Sequence, residues 1–536
     1  MTDLIILGLD GATWDLVDEL IEAGRLPNIE SLRKQGVDGT LESTFPPITG
    51  PAWLSMATGM NPGKTGVFYF QNRTDPDSFE FKTLGSDAFQ GKAIWDILNS
   101  RGHSVGIFNY PMFYPPYDID GFAVSGLGSP EDDTITYPSS LKSELDEVSD
   151  EYVVKVPYAD PKYSNRPEAL LEDLLEIVEK REAAIEYLLD SKNPDVFTGV
   201  ISATDWVQHY FWRYHDEEHI LHDPTDPRND IDAIGQVWER VDQTVGRVAE
   251  IAKDEDAQLL IISDHGFGPV NDTFHSNTWL KDAGFTFESD NSFFQRIMTK
   301  YFPHLRRIGE PIVSAIPELN NIATSLGKKI RGCPGDAIDW DRSVAFAPQQ
   351  NLTCGMLYML SEDENDINSV LNSLKSLEES EPTVESIDVY RPDELYHGPK
   401  IELAPDILFT INEFGCAVDP RAVSDSRTFS EGPPMAARSG GHRRNGIYLF
   451  NGPQSTKGDG DNAKLIDIAP TVLWALGEPI PQEMDGNVLK STFHDSFRSN
   501  QSERYEPLSS MVNTSESHQR KDSEAAQERL EDLGYL

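Results

Sequence analysis

The stretch Leu259-Leu260-Ile261-Ile262-Ser263-Asp264-His265-Gly266-Phe267-Gly268 constrains this chain more than any other. A short apolar run bounded by glycine reads as a strand buried on both faces of a sheet, since a strand with one wet face would alternate. In an open α/β sheet the groups that do chemistry sit just past the carboxyl ends of such strands. Asp264 and His265 therefore stand where a metal ion or a substrate would be met. A solvated Asp-His pair at an ordinary strand end would look the same in isolation, so the rest of the chain has to decide.

A second strand of this kind opens the chain. Leu4-Ile5-Ile6-Leu7-Gly8-Leu9 runs into Asp10-Gly11-Ala12, again a carboxylate at a carboxyl end. Helical spacing over residues 14–36, closed by Gly36, makes a βα unit, and residues 37–41 read as a short strand. Residues 93–101, 104–110 and 121–126 continue the alternation, followed by a long amphipathic helix at 168–189, a strand at 195–201 and a helix at 231–253. Such alternation gives an α/β fold. The strand at 195–201 leads into Ser202-Ala203-Thr204-Asp205-Trp206-Val207-Gln208-His209, where Asp205 and His209, four apart on a helical turn, share one face and can grip one ion.

Between these elements lies Ile48-Thr49-Gly50-Pro51-Ala52-Trp53. Pro51 suits the start of a helix, where a missing N–H costs nothing. Thr49 is then at a helix N-terminus, where free N–H groups favour an anion and a deprotonated hydroxyl. Taken alone, it could equally be an N-cap threonine.

Residues 281–400 break the alternation, with helical pieces over 293–329, strands near 343–347 and 355–360 and a helix near 367–377. They read as an inserted α+β cap that lines or covers the site, and residues 404–411 as a return to the core. Gly440-Gly441-His442 precedes a strand at 446–450, and residues 467–476 form a last helix. The expected organisation is a core of 1–280 and 401–495, a cap of 281–400, and a polar, mobile tail of 496–536 whose final residues could dock as a short helix.

Over 536 residues, Asp+Glu number 90 against Lys+Arg 45, a formal charge of -45. That balance argues against duplex nucleic acid as a partner, which needs a basic footprint. Acid spread along the whole chain fits a protein kept hydrated in concentrated salt, so a halophilic, haloarchaeal source is expected. Cys333, Cys354 and Cys416 are odd in number and far apart, giving neither a disulfide framework nor thiolate metal spacing. With no leader pattern and no apolar run long enough to span a membrane, a cytoplasmic protein is expected, its oligomeric state undetermined.

Asp10, Thr49, Asp205, His209, Asp264, His265 and His442 thus come from five places, each at a strand end or adjoining loop. Carboxylate and imidazole without thiolate suit Zn²⁺, Mn²⁺ or Fe ions. Two such ions would stabilise both oxygens of an in-line phosphoryl displacement, and a hydroxyl bound to one, that of Thr49, becomes a usable nucleophile, so Thr49 counts among the expected metal ligands. His215, His219 and His222 also lie at near-helical spacing, but among Asp216, Glu217, Glu218 and Asp223 they read as a solvated acidic face.

These motifs, together with Asp467-Ile468-Ala469-Pro470-Thr471 and Met484-Asp485-Gly486, resemble the alkaline phosphatase superfamily, specifically its type I phosphodiesterase/nucleotide pyrophosphatase branch, from Met1 to about Leu489. The resemblance implies a mostly parallel central sheet flanked by helices. It implies two divalent ions, Zn²⁺ first, one held by Asp205, His209 and His442 and the other by Asp10, Asp264 and His265. Thr49 would be the nucleophile, passing through a phospho-threonine that a water on the first ion hydrolyses. The substrate would be a phosphorylated small molecule, of nucleotide or sugar-nucleotide type. In one respect the chain departs from the family. Thr49 is followed by Gly50-Pro51-Ala52 where nucleotide pyrophosphatases carry Phe-Pro-Asn, so the preference between diesters and monoesters is open. Trp53, Lys64, His275 and Asn277 are candidates for the missing substrate contact, each equally readable as a packing or surface residue.

The expected activity is therefore a two-metal phosphodiesterase. A phosphomonoesterase, phosphonate hydrolase or phosphotransferase are its near alternatives, and a catalytically weak protein binding metal or an anion is the distant one. A sulfatase would need Cys/Ser-x-Pro-x-Arg at the nucleophile, which Thr49 lacks.

Overall fold

The computed structural model describes residues 1–163, 166–287, 338–348, 353–420, 427–435, 437–512 and 530. Its centre is a ten-stranded sheet in an α/β arrangement with helices on its faces. Leu4–Leu9 lies in the middle, parallel to Val196–Ile201 on one side and to Gln258–Ile262 on the other. Beyond Val196–Ile201 come Val105–Tyr110 and Gly121–Ser125, both parallel. Beyond Gln258–Ile262 the strand Asn445–Asn451 enters antiparallel and pairs onward with Val37–Glu42. All six residues of Leu4–Leu9 are buried, as the continuous apolar run requires. Each isoleucine or leucine removed from water there contributes about 1.5–3 kcal/mol.

Register then places the chemistry. Leu9 faces Ile201 and Gly8 faces Ile262, so the three carboxyl ends are level. Asp10, the turn into the helix Ala203–His215, and Ser263-Asp264-His265 consequently emerge side by side on one edge.

Residues 14–36, expected as one helix, form two, Trp14–Glu22 and Pro27–Gln35. Gly24 takes a left-handed conformation (φ +74) and Pro27 starts the second helix, so the chain turns between them.

Two compact units divide the chain: Met1–Val270, Asp393–Ala404 and Met435–Leu536 form the first, and Asn271–Pro392 and Pro405–Pro434 the second. The sequence drew the inserted region as 281–400. The second unit begins earlier and also takes in 405–434, because Ile407–Ile411 does not rejoin the central sheet. It pairs antiparallel with Gly355–Met359 and Ile387–Tyr390, in a sheet of four strands. This unit has its own core, with Phe274, Trp279, Leu357, Val370, Ile407, Phe409 and Val418 in one buried cluster. The helical pieces expected over 293–329 and the final short helix expected over 525–536 lie outside the described residues, apart from Leu530.

The start of the expected tail is built into the first unit. Tyr505–Glu506 pairs in parallel with Ile480–Pro481, and Met511 is buried. No helix among the described residues is long and apolar enough to cross a membrane.

Candidate active site

The helix Thr49–Thr58 begins one residue after Ile48, whose carbonyl accepts its first bond, from Ala52 N–H at 2.9 Å. Pro51 is the third residue rather than the first, yet its missing N–H still falls among the groups that precede the first intrahelical bond. Thr49 is the first residue of this helix. Its Oγ1 lies 3.4 Å from His265 Nε2.

Two groups of side chains that could each hold a metal ion lie at that point, Asp10, Asp264 and His265 in one and Asp205, His209 and His442 in the other, with the candidate ligand atoms of each within 4.8 Å of one another. Asp205 and His209 share a helix face as their spacing requires, Oδ1 to Nε2 at 3.4 Å. His442 arrives from the far end of the chain. The turn Ser263-Asp264-His265 continues into the strand Gly266–Pro269, which pairs antiparallel with Gly440–Arg443 and sets His442 opposite Phe267. His442 Nε2 is then 3.2 Å from Asp205 Oδ1 and 3.1 Å from His209 Nε2. The two groups abut, since the rings of His265 and His442 stack with centroids 3.7 Å apart.

The imidazoles are aimed by the backbone. His209 Nδ1 meets Gly440 O at 2.8 Å, His442 Nδ1 meets Pro47 O at 2.9 Å and His265 Nδ1 meets Gly266 O at 3.1 Å. Each carbonyl accepts a proton from Nδ1 and so leaves a lone pair on Nε2 toward the cluster. Glycines let these parts close up. Gly11 has φ +69, and a Cβ there would come 3.0 Å from the Phe267 ring and 3.4 Å from Asp205 Cα; a Cβ on Gly440 would meet Gln208 O at 2.5 Å.

The electrostatics are those of a site built for cations. Burial, then the charges of Asp264 and Asp205, raises Asp10 far above the ordinary carboxylate range. Burial and the Asp205 charge push Asp264 up to about 8. Burial alone would raise Asp205 too, but His209 and His442 hold it low. Burial lowers His209 to about 3, and burial with the neighbouring His442 lowers His265 well below its usual value, so these two imidazoles are neutral and able to offer a lone pair. Asp10 Oδ1 and Asp264 Oδ2 are buried without a hydrogen-bond donor. Buried carboxylate oxygens need a compensating cation. The donor set of carboxylate oxygen and imidazole nitrogen, without sulfur, fits Zn²⁺ or Mn²⁺ at bond lengths of about 2.0–2.2 Å.

Of the four residues expected as substrate contacts, Trp53 and Lys64 lie in the first unit, Trp53 with its indole beside the Asp10 carboxyl. Trp53 is fully buried, its ring against Gly8 and edge-on to Tyr110. Lys64 donates to Asp485 Oδ1 at 2.5 Å and to Glu483 O at 2.6 Å, and Asp485 N–H donates to Gly59 O at 2.8 Å, so Met484-Asp485-Gly486 pins the C-terminal end of the Thr49 helix. His275 and Asn277 belong to the second unit. His275 Nε2 is 3.0 Å from Ser430 Oγ, and Asn277 Nδ2 donates to Ala347 O and Pro420 O. His219, expected on a solvated face, is instead buried with Nε2 3.0 Å from Ser439 O. What the motifs did not disclose is Tyr158, whose ring lies parallel to that of His209 (5.5 Å, 10°). The alternation of Tyr152-Val153-Val154-Lys155-Val156-Pro157-Tyr158 was its one sequence signal.

The model of the type I phosphodiesterase / nucleotide pyrophosphatase family matches residues 4–418. Among solved structures, human ectonucleotide pyrophosphatase / phosphodiesterase 5 aligns over 91% of this chain and 99% of its own, at 15% identity and a TM-score of 0.50. The murine protein of the same name aligns over 91% and 97%, at 14% identity and a TM-score of 0.49. No curated protein matches the chain. The family is metal-dependent, in keeping with the two carboxylate–imidazole clusters. With its family's sequence signature running through sheet and site alike, the chain belongs to the type I phosphodiesterase/nucleotide pyrophosphatase family of the alkaline phosphatase superfamily and is a hydrolase of phosphoric ester bonds.

Proposed function

We propose that this enzyme is a two-metal phosphodiesterase that uses Thr49 as nucleophile and passes through a phospho-threonine. The observation that carries the reading is the position of Thr49, first in its helix with Oγ1 3.4 Å from His265 Nε2 in one cluster, while the other cluster stacks directly against it. Asp10, Asp264 and His265 would hold one divalent ion and Asp205, His209 and His442 the other. Such ions supply Lewis acidity and neutralise charge on the phosphoryl group, Zn²⁺ being the ion the donor set fits best.

The chain's own residues do the rest. Thr49 Oγ forms a bond to phosphorus as the bond to the ester oxygen breaks, and the departing alkoxide takes a proton from water. A water oxygen then attacks phosphorus from the opposite side and releases Thr49, which regains its proton. The helix start places backbone N–H groups and the positive end of the helix dipole beside the forming O–P bond. The imidazoles, fixed through Nδ1, hold the constellation rigid without spending an orientation cost at the moment of reaction.

Ala52 fits tightly packed surroundings here, with the neighbouring Gly50 against Phe70. No side-chain amide from this turn is available to choose between ester types. The test is hydrolysis of a bis-aryl phosphodiester beside an aryl phosphomonoester, with Zn²⁺ or Mn²⁺ supplied. Faster diester turnover is expected; monoester preference would move the reading to a phosphatase. No turnover of either, with both ions bound, would favour a binding role.

The acidic surface is part of the same reading, that of an enzyme working in concentrated salt. Its thermal midpoint should rise from dilute buffer to molar KCl as screening relieves the self-repulsion of a charge of -45. A midpoint that falls or stays level, followed by circular dichroism, would remove the halophilic part of the reading.

A further inference from the structure

We infer that Tyr158 is a positioning residue for the ion held by Asp205, His209 and His442, and that residues 151–158 form a strap whose purpose is to press it there. This rests on the two-metal reading above. The strap has no ladder partner among the described residues, yet it alternates like a strand: Tyr152, Val154, Val156 and Tyr158 are buried, while the residues between them are not. Its backbone is satisfied by side chains instead. Tyr152 N–H donates to Asp146 Oδ1 at 2.8 Å. Val154 and Lys155 N–H donate to the two oxygens of Glu131 at 3.0 and 3.1 Å. Val154 O accepts from Arg181 Nη2 at 2.8 Å. Arg181 is itself fully buried, its guanidinium 5.1 Å from the face of Trp206, the residue that follows Asp205. The same Nη2 lies 3.5 Å from Asn109 Oδ1, and the guanidinium also interacts with Tyr152 of the strap; a buried arginine is a costly anchor, which an incidental loop would not need.

The strap delivers one phenol that touches both elements bringing ligands to the first cluster. The Tyr158 ring lies flat on His209, whose edge on another side meets Phe267 (4.8 Å, 72°) and whose Nδ1 is held by Gly440 O. The Tyr158 hydroxyl accepts from Arg438 Nη2 at 2.9 Å. Arg438 opens the run Arg438-Ser439-Gly440-Gly441-His442, and Ser439 Oγ is in turn bonded to the carbonyls of His209 and Tyr210 at 3.2 and 3.1 Å. Tyr158 thereby fixes the plane of one imidazole and the approach of the segment that carries another. Outer partners of ligating histidines of this kind shift metal affinity by about 10–100-fold.

The test uses cobalt as the probe on the full chain, stripped with chelator and titrated with Co²⁺ while visible absorption and bound equivalents are followed. Wild type should take up two equivalents. Tyr158→Leu should keep one with unchanged affinity and bind the other about tenfold or more weakly, with an altered absorption band. Tyr158→Phe, which keeps the stack and loses the tie to Arg438, should fall between them. Asp264→Asn removes the other site and identifies the band that changes. If folded Tyr158→Leu binds both equivalents as wild type does, or weakens both alike, the positioning role is overturned. If wild type itself binds fewer than two, the two-metal reading fails first, and this inference with it.

Discussion

Thr49→Ala should abolish turnover, with kcat falling on the order of 10³-fold or more, while both ions stay bound. The side chain is fully buried at the start of its helix, and the substitution removes one oxygen and one methyl without touching the backbone bonds that begin at Ala52. Loss of activity with unchanged Co²⁺ uptake and unchanged thermal midpoint would then reflect the missing nucleophile rather than a damaged fold. Acid quenching of wild type during turnover should trap a phosphoryl group on the peptide containing Thr49, detectable by its mass and absent from the variant. Thr49→Ser should recover much of the rate, because it restores a hydroxyl at the same atom. An alanine variant within tenfold of wild type would show that water attacks the substrate directly.

Stripping the ions should cost more stability at pH 8 than at pH 6. Without a cation, burial and the Asp205 charge push Asp264 up to about 8, and Asp10 is raised for the same reasons. The unfolded chain releases these protons near the ordinary value of about 3.9. A folded-state value above the unfolded one gives stability that is fully present below about pH 4 and is lost as pH rises through about 8, on the order of a few kcal/mol for a buried carboxyl. Bound ions remove the penalty by accepting the carboxylates in ionised form, so binding near neutrality releases protons and tightens as pH rises. The lowered values of His209 and His265 do not disturb the comparison, since the ion-loaded protein needs the same neutral imidazoles. Calorimetric midpoints of loaded and chelated protein should therefore draw apart from pH 6 to pH 8. In Asp264→Asn the chelated midpoint should vary less over that range. A gap that narrows with pH would mean that these carboxyls are not the groups the ions displace.

Much of this site is readable without coordinates, because a strand buried on both faces has few endings to choose from. Leu4–Leu9 and Leu259–Ile262 announce themselves by unbroken apolar runs, and Asp10 directly after the first and Asp264 one residue further past the second fall at the sheet's edge. Asp205 and His209 follow from helical spacing alone. Harder to read is anything decided by distant pairing. Ile407–Ile411 has the composition of a core strand, and only its partners Gly355–Met359 and Ile387–Tyr390 assign it to the second unit. Lys64 looked like a phosphate contact because its partner, Asp485, lies at the far end of the sequence. Tyr158 sits in a strap held by side chains from three elsewhere-defined positions, Asp146, Glu131 and Arg181, and no local pattern encodes that.

The antiparallel strand Asn445–Asn451 has a consequence for how the molecule comes into being. Among the described residues Val37–Glu42 pairs only with segments far along the chain: Asn445–Asn451, Gly458–Asp459 and Ala463–Lys464. During synthesis it must wait through roughly 400 residues with both edges unpaired, a separation that belongs to slow, high-contact-order assembly. The same late strand follows directly on His442. The set Asp10, Asp264 and His265 can gather as soon as the middle of the chain has emerged, whereas the other waits for the segment around His442 and the strand Asn445–Asn451 to insert. Insertion of that strand and delivery of His442 to Asp205 and His209 are thus a single event, and a nascent chain cut short before that point has only the group Asp10, Asp264 and His265 complete.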